Sequence, residues 1–288
     1  MKIAILTDTN SGISSTEAEE LGIFLIPMPV IIDDETFYEG QNITEEAFYQ
    51  ALASDKKVTT SQPSPADVMD YWDSLLQKGF DEVVYIPMSS GLSNSCHAAM
   101  GFAEDYDAKV FVVDNHRISV TLKSSVIMAK KLSDIGKSGS EIKSILEEDA
   151  YHSSIYISVN TLTYLKRGGR ITPAAAMIGS VLNIKPILTI QGEKLDSFSK
   201  ARSMKKCEQR MIEALLNDKE KRFADVPNEQ LSIGAAGTCL SEEEQLNWKH
   251  ALEEAFPGAD VFYNPLSASI GCHTGPGAVG VGLSVKFL

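Results

Sequence analysis

Two short segments concentrate hydroxyl groups where a helix is about to start. Thr59-Thr60-Ser61-Gln62-Pro63-Ser64 places four hydroxyls in six residues. Hydroxyl donors and free backbone N–H groups at a helix N-terminus suit a carboxylate, while the plain alternative is an ordinary helix cap. Ser89-Ser90-Gly91-Leu92-Ser93-Asn94-Ser95 follows an apolar run ending at Met88 and opens a helical pattern through Ala98, Ala99 and Phe102. That is the place where parallel α/β sheets receive ligands. Gly91-Leu92-Ser93-Asn94-Ser95 is also one residue short of the G-x-S-x-G nucleophile elbow, so a serine hydrolase cleaving acyl esters through Ser93 is the alternative from another class. The final glycine is missing, and His97, His116, His152, His250 and His273 stand in no recognisable triad context.

Three other segments carry charge or glycine. Leu165-Lys166-Arg167-Gly168-Gly169-Arg170-Ile171 sets three cations around a Gly-Gly turn, and its arginines offer planar bidentate donors to an anion. His273-Thr274-Gly275-Pro276-Gly277-Ala278-Val279-Gly280 contains a literal G-x-G-x-x-G, but only eight residues follow Gly280, too few for a dinucleotide-binding βαβ unit. Its glycines are expected to let backbone approach a ligand, with His273 as a donor; a tight turn carrying a surface histidine is the alternative. Lys200, Arg202, Lys205 and Lys206 form a cationic cluster, read either as a docking patch or as a solvated helix start after Ser199. No G-x-x-x-x-G-K-[ST] loop or H-E-x-x-H helix is present, so neither a nucleotide nor a metal is implied.

The elements that must position these residues alternate. Lys2 to Thr7, Phe24 to Ile32, Glu82 to Met88 and Lys109 to Asp114 read as strands with helices between them, which predicts a mostly parallel sheet flanked by helices. Ser14 with Glu17 spells a capping box before a helix ending near Gly22, and Ser64-Pro65 gives a cap followed by proline at the first helical position. Later strands are expected at Ser154 to Val159, Pro186 to Ile190, Leu231 to Thr238 and Asp260 to Tyr263. Thr172-Pro173 starts a helix carrying Met177, Ile178, Val181 and Leu182, and Ser241 with Glu244 spells another capping box. The expectation is two α/β domains, 1–150 and 151–288, the second little different in kind from the first.

The 288 residues are enough for two such domains, with 43% hydrophobic and 23% charged residues matching a soluble globular chain. Twenty-six Lys and Arg against 39 Asp and Glu leave a formal charge of -13, which disfavours nucleic acid and anionic membrane surfaces. Cys96, Cys207, Cys239 and Cys272 form no C-x-x-C pair, which fits reduced thiols in a cytoplasm. The apolar run Ile3-Ala4-Ile5-Leu6 is too short for a signal-peptide core, and no run is long enough for a membrane span.

As a set, these residues resemble the DegV family of bacterial fatty-acid-binding proteins over nearly the whole chain. The matching stretches come in the family's order: Thr7-Asp8, Thr60-Ser61-Gln62-Pro63-Ser64, Ser89-Ser90-Gly91-Leu92-Ser93, Val113-Asp114, Leu165-Lys166-Arg167-Gly168-Gly169-Arg170, Lys185-Pro186-Ile187-Leu188, Lys200 with Arg202, and His273-Thr274-Gly275-Pro276-Gly277. The helix after Ser93 commonly begins Gly-Thr in the family, where this chain has Asn94-Ser95.

The resemblance implies two α/β domains with one long-chain fatty acid in the cleft between them. Its carboxylate would be held by Thr60, Ser61, Ser93 and His273, with Gly91, Asn94, Arg170, Gly275 and Gly277 in the supporting loops. It further implies a carrier with no nucleotide or catalytic site of its own, needing no cofactor and not inserting stably into a membrane. Such a carrier presents the acid to a separate ATP-dependent fatty-acid kinase and takes the acyl phosphate towards phospholipid synthesis; the cationic cluster, through Lys200 and Arg202, is the expected docking patch for that partner. A lipid-filled regulatory interaction protein is a further alternative.

Overall fold

The computed structural model describes residues 1–54, 56–178 and 184–286, and they divide into two compact units. The first comprises Met1–Tyr151 with Ser267–Ser269, and the second His152–Leu266 with the rest of the C-terminal stretch.

The first unit runs β1 (Ile3–Asp8), α1 (Ser15–Leu21), β2 (Ile23–Ile26), β3 (Pro29–Ile32), β4 (Glu35–Tyr38), α2 (Glu45–Ala53), β5 (Val58–Thr60), α3 (Pro65–Gln77), β6 (Glu82–Ile86), α4 (Ser95–Ala103), β7 (Val110–Val112), α5 (Ser119–Asp134) and α6 (Gly139–Glu148). A parallel sheet in the order β2-β1-β6-β7 is flanked by helices, as the alternation predicts. Strands with both faces covered are apolar throughout, and Ile3–Asp8 is buried at every position. Trp72 and Leu75 of α3 and Cys96 and Ala99 of α4 pack on Leu6, Val83, Tyr85 and Val112.

Two expectations change here. The predicted strand Phe24 to Ile32 is two strands in different sheets, because Pro27 has no N–H to donate and the Met28 N–H turns to Thr9 Oγ1 (3.1 Å). β3 instead joins an antiparallel sheet β4-β3-β5. The two hydroxyl-rich segments accordingly follow strands of different sheets: β5 pairs with β3, and β6 with β1 and β7. The capping box at Ser14 is only half made. Ser14 Oγ accepts the Glu17 N–H, but the Glu17 carboxylate pairs with Lys123 at 2.7 Å.

The second unit runs β8 (Ser153–Ser158), α7 (Thr163–Gly168), α8 (Pro173–Ile178), β9 (Lys185–Ile190), β10 (Asp196–Ala201), α9 (Met204–Lys221), β11 (Leu231–Gly237), α10 (Glu242–Ala255), β12 (Asp260–Pro265), α11 (Ala268–Thr274) and β13 (Val279–Val285). Its six-stranded sheet has the order β10-β9-β8-β13-β11-β12 and is antiparallel except for β11 with β12. It therefore differs in kind from the first sheet, against expectation. β13, whose first two residues end the G-x-G-x-x-G stretch, is a wholly buried inner strand, and Trp248 Nε1–H donates to the Gly280 carbonyl at 2.9 Å. Val181 and Leu182, expected on the helix starting at Pro173, lie outside the described residues. That helix is capped by Thr172 Oγ1 accepting from the Ala175 N–H, and the Ser241 and Glu244 box is complete. The cationic cluster is no helix start after Ser199: Lys200 belongs to β10, and α9 begins at Met204 under a Ser203 cap.

Candidate functional site

In the first unit the strand order reverses between β1 and β6, and a crevice at the C-terminal ends of such strands is where ligands bind in open α/β sheets. The turn after β6 is held at nearly every residue. Met88 N–H donates to Asp8 Oδ2 at 2.9 Å, Ser89 N–H to the Arg117 carbonyl at 2.8 Å, and Ser90 N–H to Asp114 Oδ1 at 3.3 Å. Ser89 then templates the loop: its Oγ accepts from the Gly91 N–H, and its carbonyl from the N–H groups of Leu92 and Ser93.

Ser93 is half-buried, and its Oγ accepts the Ser95 N–H at 3.2 Å. A hydroxyl holding an accepted bond on one side has its own hydrogen free to point elsewhere, which makes Ser93 an oriented donor. Ser95 is buried and its Oγ has no hydrogen-bond partner among the described residues, so a second hydroxyl is available in the same turn. Asn94 is exposed and caps nothing with its side chain.

The other hydroxyl-rich segment is built differently. Thr60 ends β5 half-buried opposite Val30. Ser61 is exposed; its N–H donates to the Pro29 carbonyl and its hydroxyl to the Gln62 carbonyl at 2.9 Å. Ser64 caps α3 through the Asp67 N–H, so the cap of the segment is made by Ser64 and not by Thr60 or Ser61.

In the second unit the two Gly-bearing motifs interlock. His273 sits half-buried on the last turn of α11, packed against Gly168, rather than on a surface turn. Gly275 and Gly277 both have positive φ, and β-carbons there would strike Tyr164 and the Asn160 amide. Asn160 in turn donates to the Pro276 carbonyl at 3.1 Å. These glycines thus permit close packing within the unit. Burial, aided by the Arg170 charge, pushes His273 down to about 4, so its imidazole is neutral near pH 7. The Arg170 guanidinium donates to the Gly168 carbonyl, tying the cation to the same turn.

Also in this unit, Lys200, Arg202, Lys206 and Arg210 line a cavity of about 500 Å³ with Ile184 and Ala201. Arg210 is anchored by donating to Ser199 Oγ at 3.0 Å and to the Lys200 carbonyl. It was absent from the cluster read in the sequence, although its position four residues after Lys206 on a helix signals a shared face. The other residues that sequence reasoning missed are the anchors of the Ser93 turn. Asp8 and Asp114 entered only as parts of matching motifs, with no role.

Among the described residues there is no group of three or more His, Cys, Asp or Glu side chains able to hold a metal ion, and no helix is long and apolar enough to cross a membrane. Among the described residues no cysteine is in a disulfide; Cys96, Cys207 and Cys272 are buried and Cys239 is exposed.

The family model described as "Uncharacterised protein, DegV family" matches residues 2–286. A DegV domain-containing protein of Streptomyces coelicolor is 31% identical over 285 residues, covering 99% of each chain. A fatty-acid-binding DegV family protein of Thermus thermophilus superposes with a TM-score of 0.88 at 28% identity, over 99% of this chain and 100% of that one. DegV, a fatty acid binding protein from Bacillus subtilis, does so with 0.85 at 29% identity, over 99% and 100%.

Proposed function

We propose a function on one premise: this chain belongs to the DegV family. It binds one long-chain fatty acid and presents the carboxylate to a separate ATP-dependent fatty-acid kinase, carrying the acyl phosphate towards phospholipid synthesis in a bacterial cytoplasm. The observation that carries the binding step is the oriented hydroxyl of Ser93, whose acceptor side is occupied by the Ser95 N–H at the point of strand-order reversal.

Thr60, Ser61 and Ser93 supply hydroxyl donors to the head group in this reading, and His273, neutral near pH 7, adds a ring N–H. Ser61 exchanges its bond to the Gln62 carbonyl for one to the ligand. Charge-assisted hydrogen bonds of this kind allow a carboxylate to leave water. Burying about 15 methylenes at ~0.8 kcal/mol each contributes on the order of 12 kcal/mol before association costs, so the tail dominates affinity and the polar turns fix orientation. The protein acts as a carrier without catalytic or nucleotide chemistry of its own, and Lys200 and Arg202 dock the kinase. The hydrolase alternative loses ground because Ser95 stands where the elbow needs glycine, and its N–H is spent on Ser93 Oγ.

The test is to denature the purified protein, identify released lipid by mass spectrometry, and titrate the delipidated protein with palmitate and oleate. A stoichiometric long-chain acid and saturable binding are expected. No lipid and no binding would overturn the proposal.

A further inference from the structure

We propose that Asp8 is the positioning residue of the Ser93 turn, its carboxylate standing in for the strand backbone that ends there and fixing Met88, from which the turn departs. The proposal rests on the fatty-acid reading given above.

The parallel ladder between β1 and β6 stops at Thr7 opposite Ile86, where Thr7 Oγ1–H donates to the Ile86 carbonyl at 2.7 Å. Beyond that point two backbone N–H groups from different segments need acceptors. Asp8 provides both: Oδ1 accepts from Asn10 N–H and Oδ2 from Met88 N–H, each at 2.9 Å. The Asn10 side chain holds the same residue from another side, its Nδ2–H donating to Met88 Sδ at 3.1 Å, while Asn10 Oδ1 accepts from Ser267 Oγ–H at 2.8 Å. Asp8, Asn10, Met88 and Ser267 are all buried. Met88 is thus pinned through main chain and side chain, and Ser89 onward inherits its position.

An ionised carboxylate meets this geometry best. It offers two full acceptor oxygens, whereas protonation leaves one of them a poor acceptor and an amide turns a donor towards one of the two N–H groups. Burial of an ionised group without a cation is costly, and none of the ion pairs among the described residues includes Asp8. Burial pushes Asp8 up to about 6, with the two N–H bonds opposing the rise, so the ionised form prevails at neutral pH. A chain that keeps such a group where a neutral one would be more stable is holding a particular backbone geometry.

The titratable groups facing Asp8 do not compete in this range. Tyr85 on β6 and Cys96 on α4 are both pushed up, by burial first, and stay protonated. Asn10, Ser11 and Ser267 are neutral, and on α5, which packs against β1, the buried charge Lys123 is paired with Glu17.

The test follows palmitate affinity from pH 5 to 8 in the wild type and in Asp8→Asn, together with amide hydrogen exchange over residues 88–95 corrected for its intrinsic pH dependence. Wild-type affinity is expected to fall about tenfold towards pH 5 with a midpoint near 6, the equivalent of one lost hydrogen bond. Asp8→Asn should show the low-pH affinity at every pH and faster exchange in the turn, without a lower melting temperature at pH 7.5. Wild-type affinity in Asp8→Asn at pH 7.5, or the same pH profile in both proteins, overturns the inference. A wild type that binds no fatty acid overturns the functional reading instead, and exchange still decides for Asp8: slow turn exchange at pH 7.5 that quickens in the variant supports it, and equal rates overturn it. If the variant does not fold, the wild-type exchange titration alone serves, with a midpoint near 6 in support and a flat profile against.

Discussion

A β-carbon built on Gly168 would sit 2.1 Å from His273 Nδ1 and 2.7 Å from its Cε1, so the imidazole occupies the space that any side chain at Gly168 would need. The motif containing Arg167 and Arg170 and the motif containing His273 are therefore two halves of one packed feature, 105 residues apart in sequence from Gly168 to His273.

Gly168→Ala is expected to drive the imidazole out and destabilise the protein by about 1–3 kcal/mol, the usual cost of overpacking. Fatty-acid affinity should fall with it. Adding His273→Ala removes the clash, so the double variant should regain stability in urea titrations while binding stays weak. Unchanged urea midpoints for Gly168→Ala would contradict the contact.

Ser93→Ala should weaken fatty-acid binding by roughly ten- to a hundredfold, the loss of a charge-assisted hydrogen bond of about 1.5–3 kcal/mol, without unfolding the protein. Thr60→Ala should act in the same direction. Isothermal titration on delipidated protein measures both, and wild-type affinity in both variants removes these segments from the site. Ser93 should also resist an active-site fluorophosphonate, since its hydroxyl is oriented as a donor rather than activated as a nucleophile.

The raised Asp8 carboxyl makes a separate prediction for stability. Its ordinary value of 3.8 applies to the unfolded chain and about 6 to the folded one, so between these values the folded state binds more protons. Stability from this group is full below about pH 4 and is lost as pH rises through about 6, by on the order of 3 kcal/mol. Asp8→Asn has no such titration. The wild-type free energy of unfolding minus that of Asp8→Asn should decline over this window, and a flat difference would show that burial does not raise the group.

Arg202→Ala should leave fatty-acid affinity within about twofold while kinase-dependent acyl-phosphate formation falls tenfold or more, about 1.4 kcal/mol at one contact. The wild-type reaction should slow as salt rises, because charge steering is screened over ~10 Å at 0.1 M. A fully active Arg202→Ala carrier would remove the cluster from the docking surface.

Much of the first unit was legible because a parallel sheet writes itself as apolar runs alternating with capped helices, and in both units the caps, Ser14, Ser64, Thr172 and Ser241, lie where the sequence places them. The break at Pro27 was not, because both sides of it are equally β-prone and only the partner strands differ. β13 escaped because its glycines resemble a loop, although Gly280 and Gly282 face neighbouring strands in a buried ladder. Ser93 was readable from its local turn. Asp8 was not, since its partner Met88 lies 80 residues away and nothing local distinguishes it from an exposed aspartate.

The anchoring of Arg210 on β10 also bears on how copies of this chain behave towards one another in concentrated solution. β10 ends its sheet, and a terminal strand with open carbonyls is a template on which a second molecule can add a strand. Here the ladder to β9 shifts register between Ser197 and Ser199, Lys200 places a charge on the strand, and the Lys200 carbonyl is already taken by the Arg210 guanidinium. Together these three features deny aggregation a regular edge to copy.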